Sequence, residues 1–157
     1  MRIVVISDSH KKTLVIDKIL AAQKEAKHVF FLGDNTDDIE DFIFMYPQKE
    51  FHIVCGNCDY FSNYQTFGIE NICGKRILYT HGHTLSVKSG TQRLAETARQ
   101  NECDIALFGH THTSQTVYDN GLYIVNPGSC SSPRDSRASY AVIDITDNGI
   151  MPIIIEV

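Results

Sequence analysis

The chain has 157 residues, enough for one domain around one substantial core. Hydrophobic residues make up 43% of it and charged residues 21%, which excludes a disordered chain. The formal net charge of -5, without a run of like charges, argues against general nucleic-acid binding, and no apolar run is long enough to span a membrane.

In chain order, "RIVVIS" at 2–7 is apolar and β-branched, and reads as a buried strand. "TLVIDKILAAQKEA" at 13–26 has helical spacing, with Thr13 as cap and Leu14, Ile16, Ile19, Leu20 and Ala22 on one face. "HVFFL" at 28–32 completes a βαβ unit with an expected right-handed crossover. A short helix is expected over 37–46, opened by acidic residues and ended by Pro47. Further strands are expected at 51–55, 75–80 and 104–108, with a helix at 91–101. The last third changes character, since Asn120-Gly121 and Asn148-Gly149 each stand between apolar runs and signal hairpins. The whole chain, 1–157, therefore reads as one α/β domain with a mixed sheet. Phe30, Phe31, Phe42, Phe44 and Phe108 read as core, and His28 and His52 as surface or packing residues.

The five cysteines are Cys55, Cys58, Cys73, Cys103 and Cys130, and an odd count argues against a disulfide framework. "MRIVVISDSH" turns polar too soon for an export signal, so the cytoplasm is the expected compartment. Cys55-x-x-Cys58 lacks the second pair that a zinc knuckle needs.

The residues just beyond each strand are more informative. "RIVVIS" is followed by Asp8-Ser9-His10, "HVFFL" by Gly33-Asp34 and "FHIVC" by Gly56-Asn57. "RILYT" is followed by His81-Gly82-His83 and "DIALF" by Gly109-His110-Thr111-His112. Taken singly, Asp8 and His10 read as helix-capping residues, and Asp34 and Asn57 as turn residues. Together they place a ligand-capable side chain beyond five successive strands, where α/β sheets bind ligands. Imidazole, carboxylate and amide suit Mn, Fe, Zn, Co or Ni. Asp8, His10, Asp34, Asn57, His81, His110 and His112 exceed what one tetrahedral ion needs, and two ions sharing one carboxylate would use them all.

This motif series resembles the calcineurin-like metallophosphoesterases and, within them, the small bacterial and archaeal phosphodiesterases of the YfcE type. "NPGS" at 126–129 fits the same subgroup. The resemblance implies a four-layer β-sandwich of two mixed sheets flanked by helices, classed as α/β or, in some schemes, α+β. It implies two divalent metal ions, with manganese the first expectation and nickel, zinc, iron, cobalt or magnesium as alternatives. Asp8, His10 and His112 would hold one ion, Asn57, His81 and His110 the other, and Asp34 would bridge them. A hydroxide bridging the ions would then attack the phosphorus of a small phosphodiester in line with the leaving group.

The chain departs from the wider family at Cys58, where many of its protein phosphatases carry a histidine. That histidine works with an aspartate three residues after the bridging one. Asp37 stands at that place here, without its partner. Leaving-group protonation is thus left among Cys58, His83 and water, with Asn35 and His83 as candidate substrate contacts. Arg134 reads as a solvated turn residue. The rival reading is a non-catalytic scaffold, since the family includes a retromer subunit that keeps the fold as an interaction platform. A homo-oligomer is the base-rate expectation.

Overall fold

The computed structural model describes residues 1–134 and 137–157. Its elements in chain order are β1 (Arg2–Ile6), α1 (Thr13–Ala22), β2 (His28–Phe31), α2 (Asp37–Met45), β3 (Glu50–Ile53), β4 (Phe67–Ile72), β5 (Lys75–Thr80), α3 (Gln92–Gln100), β6 (Ile105–Leu107), β7 (Gln115–Asp119), β8 (Leu122–Asn126), β9 (Ser139–Thr146) and β10 (Gly149–Glu156). Two short 3-10 turns, His83–Leu85 and Val87–Ser89, lie between β5 and α3.

The strands form two five-stranded sheets, ordered β10-β9-β1-β2-β3 and β4-β5-β6-β8-β7. In the first, β1, β2 and β3 run parallel, while the β9–β10 hairpin lies antiparallel beside β1. In the second, β5, β6 and β8 run parallel, with β4 and β7 antiparallel at its edges. The apolar runs that lack alternation are the strands covered on both faces: Ile3, Val4, Val5 and Ile6 of β1 expose nothing.

Val5, Phe30 and Leu32 of the first sheet pack on Ile77, Tyr79 and Leu107 of the second. Helices α1 and α2 cover the outer face of the first sheet, through Ile16, Ile19, Leu20, Ile39 and Phe42. Helix α3 covers the second with Leu94, Ala95 and Ala98. The layers are therefore helix, sheet, sheet and helix, the sandwich implied by the resemblance. No helix among the described residues is long and apolar enough to cross a membrane.

Several local expectations are corrected. The motif-bearing strands do not share one open sheet: β1, β2 and β3 belong to the first, β5 and β6 to the second. Strand β4 had no apolar signal, because "FGIENI" is a half-exposed edge that buries fully only Ile72. Helix α1 stops at Ala22 rather than 26, because the Lys49 ammonium donates to the carbonyls of Gln23, Lys24 and Ala26 and holds that segment out of the helix. Thr13 opens the helix without capping it. Leu14 and Phe44, placed in the core by periodicity, are 77% and 84% exposed on the outer sides of α1 and α2.

Candidate metal centre

The five motif loops meet at the seam between the sheets. The Gly109 amide donates to the His81 carbonyl at 3.1 Å, the Asp8 amide to Gly33 at 3.1 Å, and His81 Nδ1 to the Leu32 carbonyl at 2.7 Å. The local backbone is unusual. Of eleven described non-glycine residues with positive φ, seven lie in these loops: Asp8, His10, Lys11, Asp34, Asn35, His110 and His112. Left-handed backbone in such residues costs energy and persists only where the surroundings impose it. Here it explains how two alternate histidines reach one place. Strand β6 ends at Leu107, and His110 and His112 sit in a left-handed turn at φ 68° and 60°, not on an exiting strand. Likewise β5 ends at Thr80, Gly82 turns at φ 100°, and both His81 and His83 lie beside the site, their rings 5.4 Å apart. Gly109 is required for space, since a Cβ there would collide with the Ser7 hydroxyl.

All seven expected ligands are brought together, in two sets. In one, His112 Nε2 lies 3.2 Å from Asp8 Oδ1 and 3.2 Å from His10 Nε2, which is 3.9 Å from Asp34 Oδ2. In the other, His81 Nε2 lies 3.2 Å from Asn57 Oδ1, 3.1 Å from His110 Nδ1 and 3.4 Å from Asp34 Oδ1. Asp8, Asp34 and His81 are buried, whereas Asn57 is exposed.

The tautomers are set from behind. His81 Nδ1 faces the Leu32 carbonyl, and His112 Nδ1 faces the Ser132 carbonyl at 2.6 Å. With the proton on Nδ1, the neutral form of each ring turns its Nε2 lone pair into the site. Asp8 Oδ1 is buried with no hydrogen-bond partner so long as the His112 ring is neutral, since its Nε2 3.2 Å away then brings a lone pair. An orphaned buried carboxylate oxygen among converging imidazole lone pairs fits a divalent cation.

The ionisation of these groups follows from the same crowding. Burial raises the Asp8 pKa, but His112, His81 and the Ser7 hydroxyl outweigh it and hold the carboxyl below its ordinary value. The hydrogen bond to Asp8 raises His112 against its own burial. Burial, then His81 and Lys88, lower His110 to about 4. In the metal-free protein this depressed value has a testable sign. The neutral ring favours the folded state above its unfolded value near 6.5, so stability is lost as pH falls from about 6.5 toward 4. His110→Gln should flatten that part of the profile, measured as the melting temperature against pH in EDTA.

Asp59 went unnoticed in the sequence, where only the C-x-x-C carried a signal. Its carboxylate accepts amide hydrogens from Asp34, Asn35, Thr36 and Gly56, at 2.9, 2.8, 2.8 and 2.7 Å. It thereby ties the Asp34 loop to the Asn57 loop. Asp38, also unnoticed, accepts from the Ser9 hydroxyl at 2.6 Å and the Lys11 amide at 2.7 Å, holding the Asp8–His10 loop. Asp37 is exposed on α2. The "NPGS" segment braces the loops in a similar way. Asn126 Nδ2 donates to the Gly109 carbonyl at 3.0 Å, and the Ser129 hydroxyl to the Asp8 carbonyl at 2.7 Å.

The remaining candidates lie nearby. The Cys58 amide donates to Asp34 Oδ1 at 3.0 Å, and burial with the Asp34 carboxylate pushes its thiol up to about 11. His83 is lowered by burial and then by His81, and its Nδ1 is buried without a partner. Asn35, Cys58, Asp59 and Tyr60 line a shallow cavity of about 150 Å³. Arg134 is exposed, and its backbone amide donates to the His112 carbonyl.

Residues 1–148 match the family model described as "Calcineurin-like phosphoesterase superfamily domain". YsnB of Bacillus subtilis, named a probable metallophosphoesterase, is 28% identical over 150 residues, 94% of this chain and 86% of that protein. A solved structure from Streptococcus pneumoniae, titled a predicted phosphoesterase, superposes with a TM-score of 0.85 at 26% identity, covering 99% of this chain and 88% of that one. Two more distant structures share the fold. Yfce, a phosphoesterase from E. coli, does so at a TM-score of 0.69, 22% identity and 98% coverage of both chains. Vps29 of Entamoeba histolytica complexed with zinc does so at 0.75, 20% identity and 99% and 98% coverage. With residues 1–148 inside the family model and the motif loops of that span gathered at one site, the chain belongs to the calcineurin-like phosphoesterase superfamily.

Proposed function

We propose that this chain is a metal-dependent phosphodiesterase with a dinuclear centre. In this reading Asp8, His10 and His112 hold one divalent ion, and Asn57, His81 and His110 the other. The observation that carries it is the division of Asp34: Oδ2 faces the His10 side and Oδ1 the His81 side, so one carboxylate belongs to both ligand sets. Bound ions would supply an activated water and neutralise charge on the phosphoryl oxygens. Manganese remains the first expectation for a nitrogen and oxygen donor set that also suits nickel, zinc, iron, cobalt or magnesium.

The chain's own residues do the positioning. Asp59 fixes the backbone on both sides of Asp34, and the Cys58 amide orients Asp34 Oδ1. The exposed rim at Asn57 and Cys58, with Asn35 beside it, leaves room for a small diester. A Cys58 thiol held at about 11 keeps its proton at neutral pH and is a weak acid. His83, half-buried next to His81 and His110, is the better placed donor to the leaving group in its imidazolium form, which burial and His81 make the stronger acid. His83→Gln should therefore lower kcat about 10–100-fold for an alkoxide leaving group, yet barely touch a p-nitrophenolate, which leaves unaided. The family match stops at 148, but β10 pairs along its length with β9, which supports residues 1–157 acting as one domain. Five free thiols are in keeping with a cytoplasmic setting.

The test is hydrolysis of bis-p-nitrophenyl phosphate and p-nitrophenyl phosphate by metal-stripped protein, before and after adding Mn²⁺. Turnover that needs the ion, is reversed by EDTA and favours the diester is expected. The scaffold reading draws on the shared fold with Vps29, and a protein that binds metal but hydrolyses neither ester with any of these ions would establish it in place of the enzyme.

A further inference from the structure

All seven histidines of the chain fall into two clusters, and only five of them lie at the centre described above. The other two, His28 and His52, sit at the opposite end of the first sheet. Strands β2 and β3 are parallel, with His28 level with Glu50 and Phe30 level with His52. Phe30 faces the second sheet, and side chains two apart on a strand share a face. His28, Glu50 and His52 therefore all point toward the second sheet, roughly 20 Å along the strand direction from Asp34, at about 3.3 Å per residue.

The packing fixes the imidazoles. The His52 ring stacks on Phe30 at 4.5 Å and meets the edge of Tyr79 at 6.0 Å. His28 and His52 have side chains only 12% and 11% exposed. His28 Nδ1 lies 3.1 Å from His52 Nε2 and 3.3 Å from Glu50 Oε2. One donor atom from each of the three residues falls within 4.8 Å of the others. On the far side of the ring, His52 Nδ1 lies 3.6 Å from Glu70 Oε1, on strand β4 of the other sheet. A carboxylate there favours the proton on Nδ1 and turns the Nε2 lone pair toward His28 and Glu50. Metal-ligating histidines are commonly oriented in this way.

We propose that His28, Glu50 and His52 form a second, mononuclear site for a zinc-class divalent ion, with Glu70 positioning His52. Two imidazoles and one carboxylate are a known zinc set that leaves the fourth position to water. Glu50, with 72% of its side chain exposed, stands on the solvent side of the site and gives the ion a way in. The ion would join β2 to β3 directly and, through His52 and Glu70, reach across to β4. It would act as a clasp at the open edge of the sandwich, where β3 and β4 are the end strands of their sheets. This site does not depend on the reading of the first centre.

The test is zinc titration of the metal-stripped full-length protein by calorimetry, for wild type and for Glu50→Gln and His28→Gln separately. Wild type should take up one equivalent more than either variant, whatever the first centre binds. Both variants should keep the wild-type diester turnover, since neither residue lies near Asp34. Glu70→Gln should keep that equivalent but weaken it about 10–100-fold. Far-ultraviolet circular dichroism of the metal-stripped variants checks folding. Should a variant be unfolded, wild-type crystals grown with zinc decide the matter, by an anomalous peak between His28 Nδ1 and His52 Nε2. Equal zinc uptake by wild type and both folded variants, or no peak there while the first centre is occupied, would overturn the proposal.

Discussion

Asp34→Asn is expected to lower kcat/KM for a phosphodiester about 1,000-fold or more, equivalent to about 4 kcal/mol of transition-state stabilisation. The substitution is nearly isosteric, and an amide oxygen can still accept the Cys58 amide that now binds Asp34 Oδ1. What it removes is the charge that both ligand sets share. The same change should have the opposite effect on the metal-free protein. Asp34 is 3% exposed and shares its surroundings with Asp8, so its charge is costly to bury until cations arrive. Metal-stripped Asp34→Asn should thus unfold at the same temperature as stripped wild type or higher. Adding Mn²⁺ should raise the wild-type melting temperature and hardly move the variant's. A variant that kept both its activity and its metal-induced stabilisation would show that Asp34 does not bridge.

Asp59→Ala should be the most damaging change at a residue that would hold neither ion. Four backbone amides lose their acceptor at once. Asp59 is half-buried, so water replaces part of what is lost. A destabilisation of about 3 kcal/mol is expected from these unmet donors. The Asp34 and Asn57 loops would then drift relative to each other, and displacements near 1 Å at a reacting centre cost about 100-fold in rate. Asp59→Asn keeps an acceptor on one oxygen and should fall between wild type and alanine in both respects. Urea unfolding and diester kinetics on the same preparations check this. A large loss of stability with unchanged kcat/KM would mean that the two loops are held by other contacts.

The residues of the candidate site were legible because each stands just beyond an apolar strand, and strand ends can be read from residue type. The helices were legible in type but not in their outer limits. Periodicity placed Leu14 in the core, but it cannot tell which side of a helix meets the sheet, and α1 is turned so that Leu14 faces solvent. Strand β4 was hidden because an edge strand buries little and needs no apolar alternation. The division of the motif strands between two sheets depends on long-range pairing that no local pattern records. The same holds for Asp59 and Asp38. Their roles lie in accepting backbone amides, and any turn carboxylate looks alike in sequence. His28 and His52 looked like isolated residues at the starts of two strands, and only the parallel register of β2 and β3 brings them together.

Two ligand sets that share Asp34 are the centre of this account of the protein. Anomalous diffraction at the manganese edge, from crystals soaked in Mn²⁺, tests that sharing most directly. Two peaks about 3.5–4 Å apart are expected, one among Asp8, His10 and His112, the other among Asn57, His81 and His110, with an Asp34 oxygen toward each. A single peak, or a second one away from Asn57, His81 and His110, in crystals of protein that hydrolyses the diester would contradict it.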